Sequence, residues 1–101
     1  MTFMLTTIEK KQLKSLANTI ETRYQVGKNE ITSTLLDMLE KALVAKELIK
    51  IDVMKATETP VMEIALDLSS KLNAEIVDII GRVIILYRRN PDKPKIKLAK
   101  K

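Results

Sequence analysis

Apolar residues recur at helical spacing in three stretches of the chain, which predicts three amphipathic helices. The first helix follows Thr6, which forms a capping-box pattern with Glu9. The second begins at Thr32 and extends to about Lys46. The apolar stripes consist of Leu13, Leu16, Ala17 and Ile20 in the first helix, Leu35, Leu36, Leu39, Ala42 and Leu43 in the second, and Val61, Ile64, Ala65, Leu68 and Leu72 in the third.

The third helix has signals at both ends. Thr59 is predicted to be its N-cap, and Pro60 to occupy the first helical position, where the missing N–H is harmless. Asn73 is predicted to end the helix, because asparagine tolerates the left-handed conformation of a helix terminus.

Four short stretches have the composition or the two-residue alternation of β-strands. In the second of them, Ile49, Ile51 and Val53 share one side, while the polar Lys50 and Asp52 share the other. The last two are separated by a glycine and an arginine, a connection that predicts a hairpin with a type II′ turn. The predicted strands are residues 23–26, 48–54, 75–80 and 83–87.

The elements follow the order helix, strand, helix, strand, helix, strand, strand, which is an α/β arrangement (α-β-α-β-α-β-β). Strand–helix–strand units favour parallel pairing through right-handed crossovers, and the final hairpin adds an antiparallel strand. We therefore predict a mixed four-stranded sheet packed with three helices. The pattern leaves open which face of the sheet each helix covers. Residues 1–89 are expected to form this single domain, and residues 90–101 an extended, basic and mobile tail.

The composition excludes several classes of chemistry. The chain of 101 residues is 46% hydrophobic and 31% charged, as in a globular domain, and it has no cysteine and no histidine. Disulfides, thiolate nucleophiles, imidazole bases and Cys/His metal sites are therefore ruled out. No nucleotide-binding glycine motif is found, and residues 1–7 lack the basic and long apolar regions of a signal peptide. We expect a soluble cytoplasmic protein that is not an enzyme and has no cofactor, no membrane partner and no small-molecule substrate.

The positive charge is concentrated at the C-terminal end. Residues 1–87 carry 11 basic and 12 acidic side chains, whereas residues 88–101 carry 7 basic side chains and only Asp92 as an acid. The net charge of +5 thus results from a basic segment attached to a nearly neutral body. Such a segment suits nucleic acid or another anionic surface, although a solubilising tail is the common alternative.

One corner of the chain is a candidate anion site. The predicted strand at residues 23–26 ends at Gly27, and the chain then passes Lys28 and Asn29 before the helix that begins at Thr32. A loop between a strand and a helix N-terminus directs backbone N–H groups toward one point and favours anions there. Lys28 adds a cation, so this corner is predicted to contact a phosphate.

Further candidate contacts are basic side chains outside the loop. Three lysines of the first helix avoid its apolar stripe and form either a solvated face or a ridge that faces phosphates. Tyr24 and Tyr87 lie in predicted strands, where packing is a more common role than stacking on bases. The additional candidate contacts to nucleic acid are Lys10, Lys11, Lys14, Arg82, Arg88 and Arg89.

Five segments together resemble a known family. They are Leu13 to Ala17, Val26 to Asn29, Glu47 to Ile51, Ile80 to Arg82, and Leu86 to Arg88. Their order and spacing resemble the YhbY-type CRM domain over nearly the whole chain. The resemblance implies RNA binding without catalytic residues and a fold like the C-terminal domain of translation initiation factor three. For a bacterial protein with a single copy of the domain, it also implies association with ribosomal RNA or large-subunit precursors during ribosome assembly.

The sequence departs from the family pattern at two positions. The family loop usually has a second glycine where this chain has Glu30, which restricts the backbone and adds a negative charge. A frequent histidine of the family is replaced by Lys46, which keeps or adds positive charge.

Two functions remain open at this point. The first is a monomeric RNA-binding module that binds structured RNA mainly by contacting the RNA backbone. The second is a protein-interaction module that docks on a ribosomal protein or self-associates through a sheet edge. A small enzyme built on a carboxylate pair such as Asp52 and Glu75 has no supporting spacing.

Overall fold

A computed structural model describes residues 7–20, 24–27, 31–55 and 57–89. It confirms the predicted order of three helices and four strands. The predicted cap Thr6, the strand residue Arg23 and the tail from Asn90 onward lie outside the described residues. The elements are α1 (Thr7–Ala17), β1 (Tyr24–Val26), α2 (Ser33–Lys46), β2 (Leu48–Val53), α3 (Val61–Leu72), β3 (Glu75–Ile80) and β4 (Val83–Tyr87).

The four strands form one mixed sheet in the order β1-β2-β4-β3. β1 pairs with β2 in parallel, as the crossover through α2 predicts, and β4 is antiparallel to both of its neighbours. β2 and β3 therefore run in the same direction, but β4 lies between them. A β-bulge interrupts the pairing of β3 with β4 between Ile76 and Asp78.

The helices cover the two faces of the sheet unequally. α2 and α3 pack on one face, and their buried side chains form the larger core with Ile49, Ile51 and Val53 of β2. α1 packs alone on the other face, where Leu13 and Ala17 contact a smaller core. The alternation along β2 thus distributes its residues between the two faces as predicted. The partners of α1 in this smaller core are Leu48, Val77, Ile85 and Tyr87, with Ile20 packed against it.

The predicted apolar stripe of α1 is only partly buried. Leu13 and Ala17 are fully buried and Ile20 is half-buried, but the side chain of Leu16 is 38% exposed. A single helix that lies on a sheet contacts it along a narrow line. Within the described part of the chain, no second helix flanks α1 to cover the edge of its stripe.

Two helix boundaries agree with the prediction and one is wrong. The Thr32 side chain accepts a hydrogen bond of 3.1 Å from the Leu35 N–H at the start of α2. Asn73 has the left-handed conformation, with φ of 55°, at the end of α3. The N-cap of α3, however, is Pro60 and not Thr59. The ring of Pro60 fixes φ near −57°, its ψ of 146° keeps it outside the helix, and α3 therefore begins one residue later than predicted.

The hairpin between β3 and β4 has the predicted two-residue turn. Ile80 pairs with Val83, and of the two residues between them only Gly81 has positive φ, at 60°. This conformation at the first turn position is the one that a type II′ turn requires. The turn places the Arg82 side chain at the tip of the hairpin.

A buried lysine joins α1 to the sheet. Lys50 lies in β2 on the face that α1 covers, and its residue surface is only 8% exposed. Its Nζ donates hydrogen bonds of 2.9 Å to the Ala17 carbonyl and 3.1 Å to the Ile20 carbonyl. These carbonyls lie at and just beyond the C-terminal end of α1, where a helix has unsatisfied acceptors and a partial negative charge. Lys50 thus fixes the end of α1 on the sheet.

Among the described helices, none combines the length and the apolar character that are needed to cross a membrane.

Candidate functional site

The glycine corner lies where the parallel strands β1 and β2 end. Gly27 directly follows β1, and the Met54 N–H just after β2 donates a hydrogen bond of 2.9 Å to the Val26 carbonyl. Lys28, Asn29 and Glu30 lie outside the described residues, and α2 begins shortly after them. The carboxyl ends of strands are common ligand sites in sheets with parallel pairing.

The fold itself does not require a glycine at position 27. Gly27 does not have the positive φ that favours glycine, and a Cβ placed on it would meet the Met54 Sδ at 3.6 Å, which is ordinary contact. The missing side chain instead leaves the backbone of Gly27 itself partly exposed. A bound phosphate could therefore approach the backbone closely at this point.

Arg82 lies at the same end of the sheet as Gly27. Its Nε donates to the Val53 carbonyl at 2.8 Å, and its Nη2 donates to the Met54 carbonyl at 2.7 Å. The Val53 N–H in turn donates to the Arg82 carbonyl at 2.8 Å. The structure therefore brings two of the predicted site residues together through the end of β2.

Thr57 is a residue of this region that sequence reasoning missed. It is 6% exposed, and its Oγ1 donates toward the Gly27 carbonyl at 3.0 Å and the Val26 carbonyl at 3.3 Å. Its backbone N–H donates to the Met54 carbonyl at 3.0 Å. The polar stretch that contains Thr57 indicates only a loop before a helix, so no local pattern distinguishes this hydroxyl.

Arg88 and Arg89 lie at the opposite end of the sheet. Arg82 and Arg88 flank β4 and are six residue steps apart, which at about 3.4 Å per step separates them by about 20 Å. The predicted contacts therefore form two groups and not one continuous cluster.

The guanidinium of Arg88 is engaged within the protein. Both of its Nη atoms bond the carboxylate of Glu40 in α2, with the Nη1 contact at 2.8 Å. Nη1 also donates to the Leu72 carbonyl at 3.0 Å, at the end of α3. Hydrogen bonding with Arg88 lowers the pKa of Glu40, and the same bonds raise the pKa of Arg88. Arg88 therefore ties α2 and α3 together, and its role as an RNA contact stays a prediction.

The three lysines of α1 have different surroundings. Lys10 and Lys11 are exposed, whereas the Nζ of Lys14 lies 3.0 Å from the Asp78 carboxylate of β3. The hydrogen bond from Lys14 lowers the pKa of Asp78, and a hydrogen bond from the Ile79 N–H acts in the same direction. The ridge thus includes a local negative charge that the sequence did not reveal.

Neither tyrosine is placed as a platform for stacked bases. Tyr87 is 1% exposed in the core beneath α1, and burial raises the pKa of its hydroxyl to about 12. Tyr24 is half-buried and packs against the larger core. Both residues serve packing, as their strand positions predict.

Family comparison gives a match over most of the chain. Residues 5–88 match the model of the CRS1 / YhbY (CRM) domain. The chain belongs to this family. The match contains the glycine corner, Arg82 and all three lysines of α1, and it ends before Arg89 and the tail. The resemblance that the five sequence segments indicated is confirmed.

Several bacterial relatives of this CRM domain extend over nearly its whole length. "Probable RNA-binding protein YqeI" of Bacillus subtilis is 32% identical, over 94% of this chain and 99% of its own. "Probable RNA-binding protein PA4753" of Pseudomonas aeruginosa is 33% identical, over 94% of this chain and 90% of its own. A protein of Haemophilus influenzae named "RNA-binding protein" is 33% identical, over 96% of this chain and 97% of its own.

A solved structure supports the same fold for this CRM domain. The solution structure of the hypothetical protein SAV1595 from Staphylococcus aureus is similar, with a TM-score of 0.79 and 33% identity. The similarity covers 95% of this chain and all of the other. The fold of the mixed sheet and its three helices is therefore shared with this relative over 95% of the chain.

Proposed function

We propose that this protein binds RNA and that its RNA partner is ribosomal RNA or a precursor of the large ribosomal subunit. The observation that carries the proposal is membership in the CRM family, with relatives of matching length that are named as RNA-binding proteins. The glycine corner and the Arg82 side chain lie together at one end of the sheet, which supplies a location for the contact.

The protein binds RNA mainly through contacts of basic side chains with the phosphate backbone. The tyrosines are occupied in packing, whereas lysines and arginines are available along the surface. Lys28 follows Gly27 at the glycine corner, Lys10 and Lys11 are exposed on α1, and Arg89 is exposed at the start of the basic tail. Such contacts position RNA without reading its bases, so structured RNA of several sequences would be bound.

In-cell crosslinking followed by sequencing of the attached RNA tests the proposed partner. Recovery of large-subunit ribosomal RNA or its precursors is expected, in the bacterial cytoplasm where ribosomes assemble. Recovery of unrelated RNA would overturn the proposal of a ribosomal partner but would still support RNA binding. Recovery of no RNA would overturn both proposals.

Lys28→Ala is expected to weaken RNA binding by about three- to tenfold at low salt, because the variant loses one phosphate contact. The slope of log affinity against log salt should become shallower by about 0.7 to 0.9. Titration of purified large-subunit ribosomal RNA at several salt concentrations measures both quantities. Lys41→Ala on the exposed surface of α2 is the matched control and should bind like the wild type. Equal affinities for the two variants would remove the glycine corner from the interface.

Asp78→Asn is expected to raise RNA affinity by about two- to fivefold at low salt, because the carboxylate no longer neutralises Lys14 beside the ridge. Asp67→Asn changes the net charge equally but lies on α3, on the opposite face of the sheet. Affinity measurements with the same RNA compare the two. An equal increase in both variants would show that only the net charge matters and not the ridge.

Protein docking is the second candidate, and exposed apolar side chains favour it. Met62 and Leu66, one turn apart on α3, are 55% and 56% exposed, and Ile80 of the edge strand β3 is 47% exposed. Exposed apolar groups on a helix and on a strand edge suit docking on a ribosomal protein or self-association. The tail deletion described in the Discussion separates this candidate from RNA binding.

A further inference from the structure

A row of four residues crosses the sheet near the β3–β4 hairpin. Gln25 of β1 is in register with Asp52 of β2, which pairs with Val83 of β4, which in turn pairs with Ile80 of β3. Residues directly opposite each other on neighbouring strands project to the same face of the sheet. Alternation along β2 places Asp52 on the same face as Lys50, the face that α1 covers. We call these four residues the tip row.

α1 crosses the sheet one row farther from the hairpin. The Nζ of Lys14 lies 3.0 Å from the Asp78 carboxylate of β3, and the Ala17 carbonyl accepts the Nζ of Lys50 of β2 at 2.9 Å. Asp78 and Lys50 are both in register with Ile85 of β4, so α1 lies along the row that these three form. The tip row is two residues farther along each strand, which is about 7 Å.

The tip row is accessible on this face. Ile80 is 47% exposed, Gln25 is exposed, and Asp52 and Val83 are half-buried, whereas Ile85 beneath α1 is only 1% exposed. Among the described residues, the core beneath α1 includes neither Val83 nor Ile80. The sheet therefore presents an apolar surface beside α1 that this helix does not cover.

The lysine edge of α1 borders this apolar surface. Lys10 and Lys14 lie one turn apart and share one edge of the helix. The contact of Lys14 with Asp78 directs this edge toward β3, where Ile80 is the next residue on the same face toward the hairpin. Lys10 is exposed on this edge, so its ammonium group is available to a ligand on the tip row.

Arg82 supplies a second cation at the hairpin end of the row. Its Nε and Nη2 donate to the carbonyls of Val53 and Met54, which hold the guanidinium at the end of β2. These bonds use two of its five N–H groups, so donors remain for a phosphate. The apolar surface of the tip row thus lies between the basic edge of α1 and a fixed arginine.

We propose that the tip row binds one unpaired base of the RNA, which lies on Ile80 and Val83 while Lys10 and Arg82 contact the flanking phosphates. The inference rests on the proposed RNA-binding function. A nucleotide has an apolar base face next to charged phosphates, which matches an apolar surface bordered by cations. A paired stem exposes mainly its sugars and phosphates, and the Asp52 carboxylate would repel a phosphate placed on the row itself.

Two RNA probes test this inference with the full chain. The first is a stem-loop whose loop is entirely adenosine, and the second is the fully paired duplex of the same stem. We expect the wild type to bind the stem-loop about five- to tenfold more tightly at the same salt concentration, because only the loop offers an unstacked base. Equal affinity for the two probes would overturn the inference while RNA binding stands.

Ile80→Thr is the principal variant, because threonine keeps the β-branched shape and the strand preference but removes apolar surface. Its affinity for the stem-loop should fall by about three- to fivefold, with an unchanged salt slope and an unchanged affinity for the duplex. Leu66→Ala is the matched control, since it removes an equally exposed apolar side chain from α3, and it should bind both probes like the wild type. An equal loss for both probes in Ile80→Thr, or no loss for the stem-loop, would contradict the base contact.

Methyl NMR signals of the wild type provide a readout that needs no variant. The ring current of a bound base should shift the methyl signals of Ile80 and Val83 when the stem-loop is added, and shift them much less with the duplex. The methyl signals of Leu66 should stay in place with both probes. If neither probe binds, the proposed function and the inference both fail. If both probes bind and the signals of Ile80 and Val83 do not move, the inference fails alone, and Ile80 is left as a protein-docking residue.

Discussion

Lys50→Met is expected to lower the free energy of unfolding by about 2 to 3 kcal/mol. Methionine can fill the space of the lysine stem, but the carbonyls of Ala17 and Ile20 then lose the Nζ that bonds both. The Ala17 carbonyl keeps the Ile20 N–H at 3.1 Å, but it loses a buried hydrogen bond from a charged donor, and such bonds contribute about 1.5 to 3 kcal/mol. Denaturant unfolding followed by circular dichroism measures the change.

The control for this experiment is Lys41→Met, which makes the same substitution at an exposed position of α2. Lysine and methionine have similar helix propensities, so this variant should keep the wild-type stability within about 0.5 kcal/mol. Hydrogen exchange should rise in α1 of Lys50→Met more than in α2 or α3, because only α1 is held by Lys50. Equal stability of the two variants would show that the end of α1 does not depend on the lysine.

Deletion of residues 90–101 is expected to lower RNA affinity by about a hundredfold or more at low salt. The deleted segment carries five lysines against Asp92 alone, which leaves a body with almost no excess positive charge. If each lysine neutralises one phosphate, the slope of log affinity against log salt should become shallower by about 3.5 to 4.5. Filter binding with large-subunit ribosomal RNA at several salt concentrations measures the affinity and the slope.

A full-length variant distinguishes charge from chain length in this experiment. Its five tail lysines are replaced by glutamine, and it should bind RNA as weakly as the deleted protein. A protein-docking surface on Met62 and Leu66 would survive both changes, because these residues lie on α3. RNA affinity that stays within about twofold of the wild type after the deletion would contradict the electrostatic role of the tail.

The order of elements could be predicted because each one leaves a local pattern. Helical stripes, the two-residue alternation of β2 and the turn at Gly81 depend on neighbouring residues alone, and all three agree with the structure. The position of β4 between β2 and β3 could not be predicted in the same way. Strand order depends on contacts between distant segments, which leave no periodic signal in the sequence. For the same reason, the sequence could not predict which face of the sheet each helix covers.

The single-residue connection from α2 to β2 also escapes local prediction. Glu47 lies between the two elements with φ of 66° and is fully buried. Its N–H donates to the Leu43 carbonyl at 2.8 Å, and its carbonyl accepts the Arg88 N–H at 2.9 Å. Positive φ is uncommon for glutamate, so residue type gives no indication of this turn. Contacts from outside the turn hold it in this conformation.

The candidate site was predictable in its parts but not in its arrangement. Gly27 and Arg82 were identified from local motifs, and the structure joins them through Met54. In the sequence, Arg88 and Lys14 could not be distinguished from the other basic residues, because only their charge was known. Their carboxylate partners lie in other elements of the fold, so local spacing could not separate engaged cations from exposed ones.

The central position of β4 has a consequence for how the protein folds. This strand supplies Ile84 and Leu86 to the core under α2 and α3, and Ile85 and Tyr87 to the core under α1. Its pairing with β2 must close a long stretch of chain that includes α3 and β3, which makes folding slower than in a helical bundle of similar size. Detachment of β4 would open both cores at once. The two helical layers are therefore expected to be gained and lost in a single cooperative step.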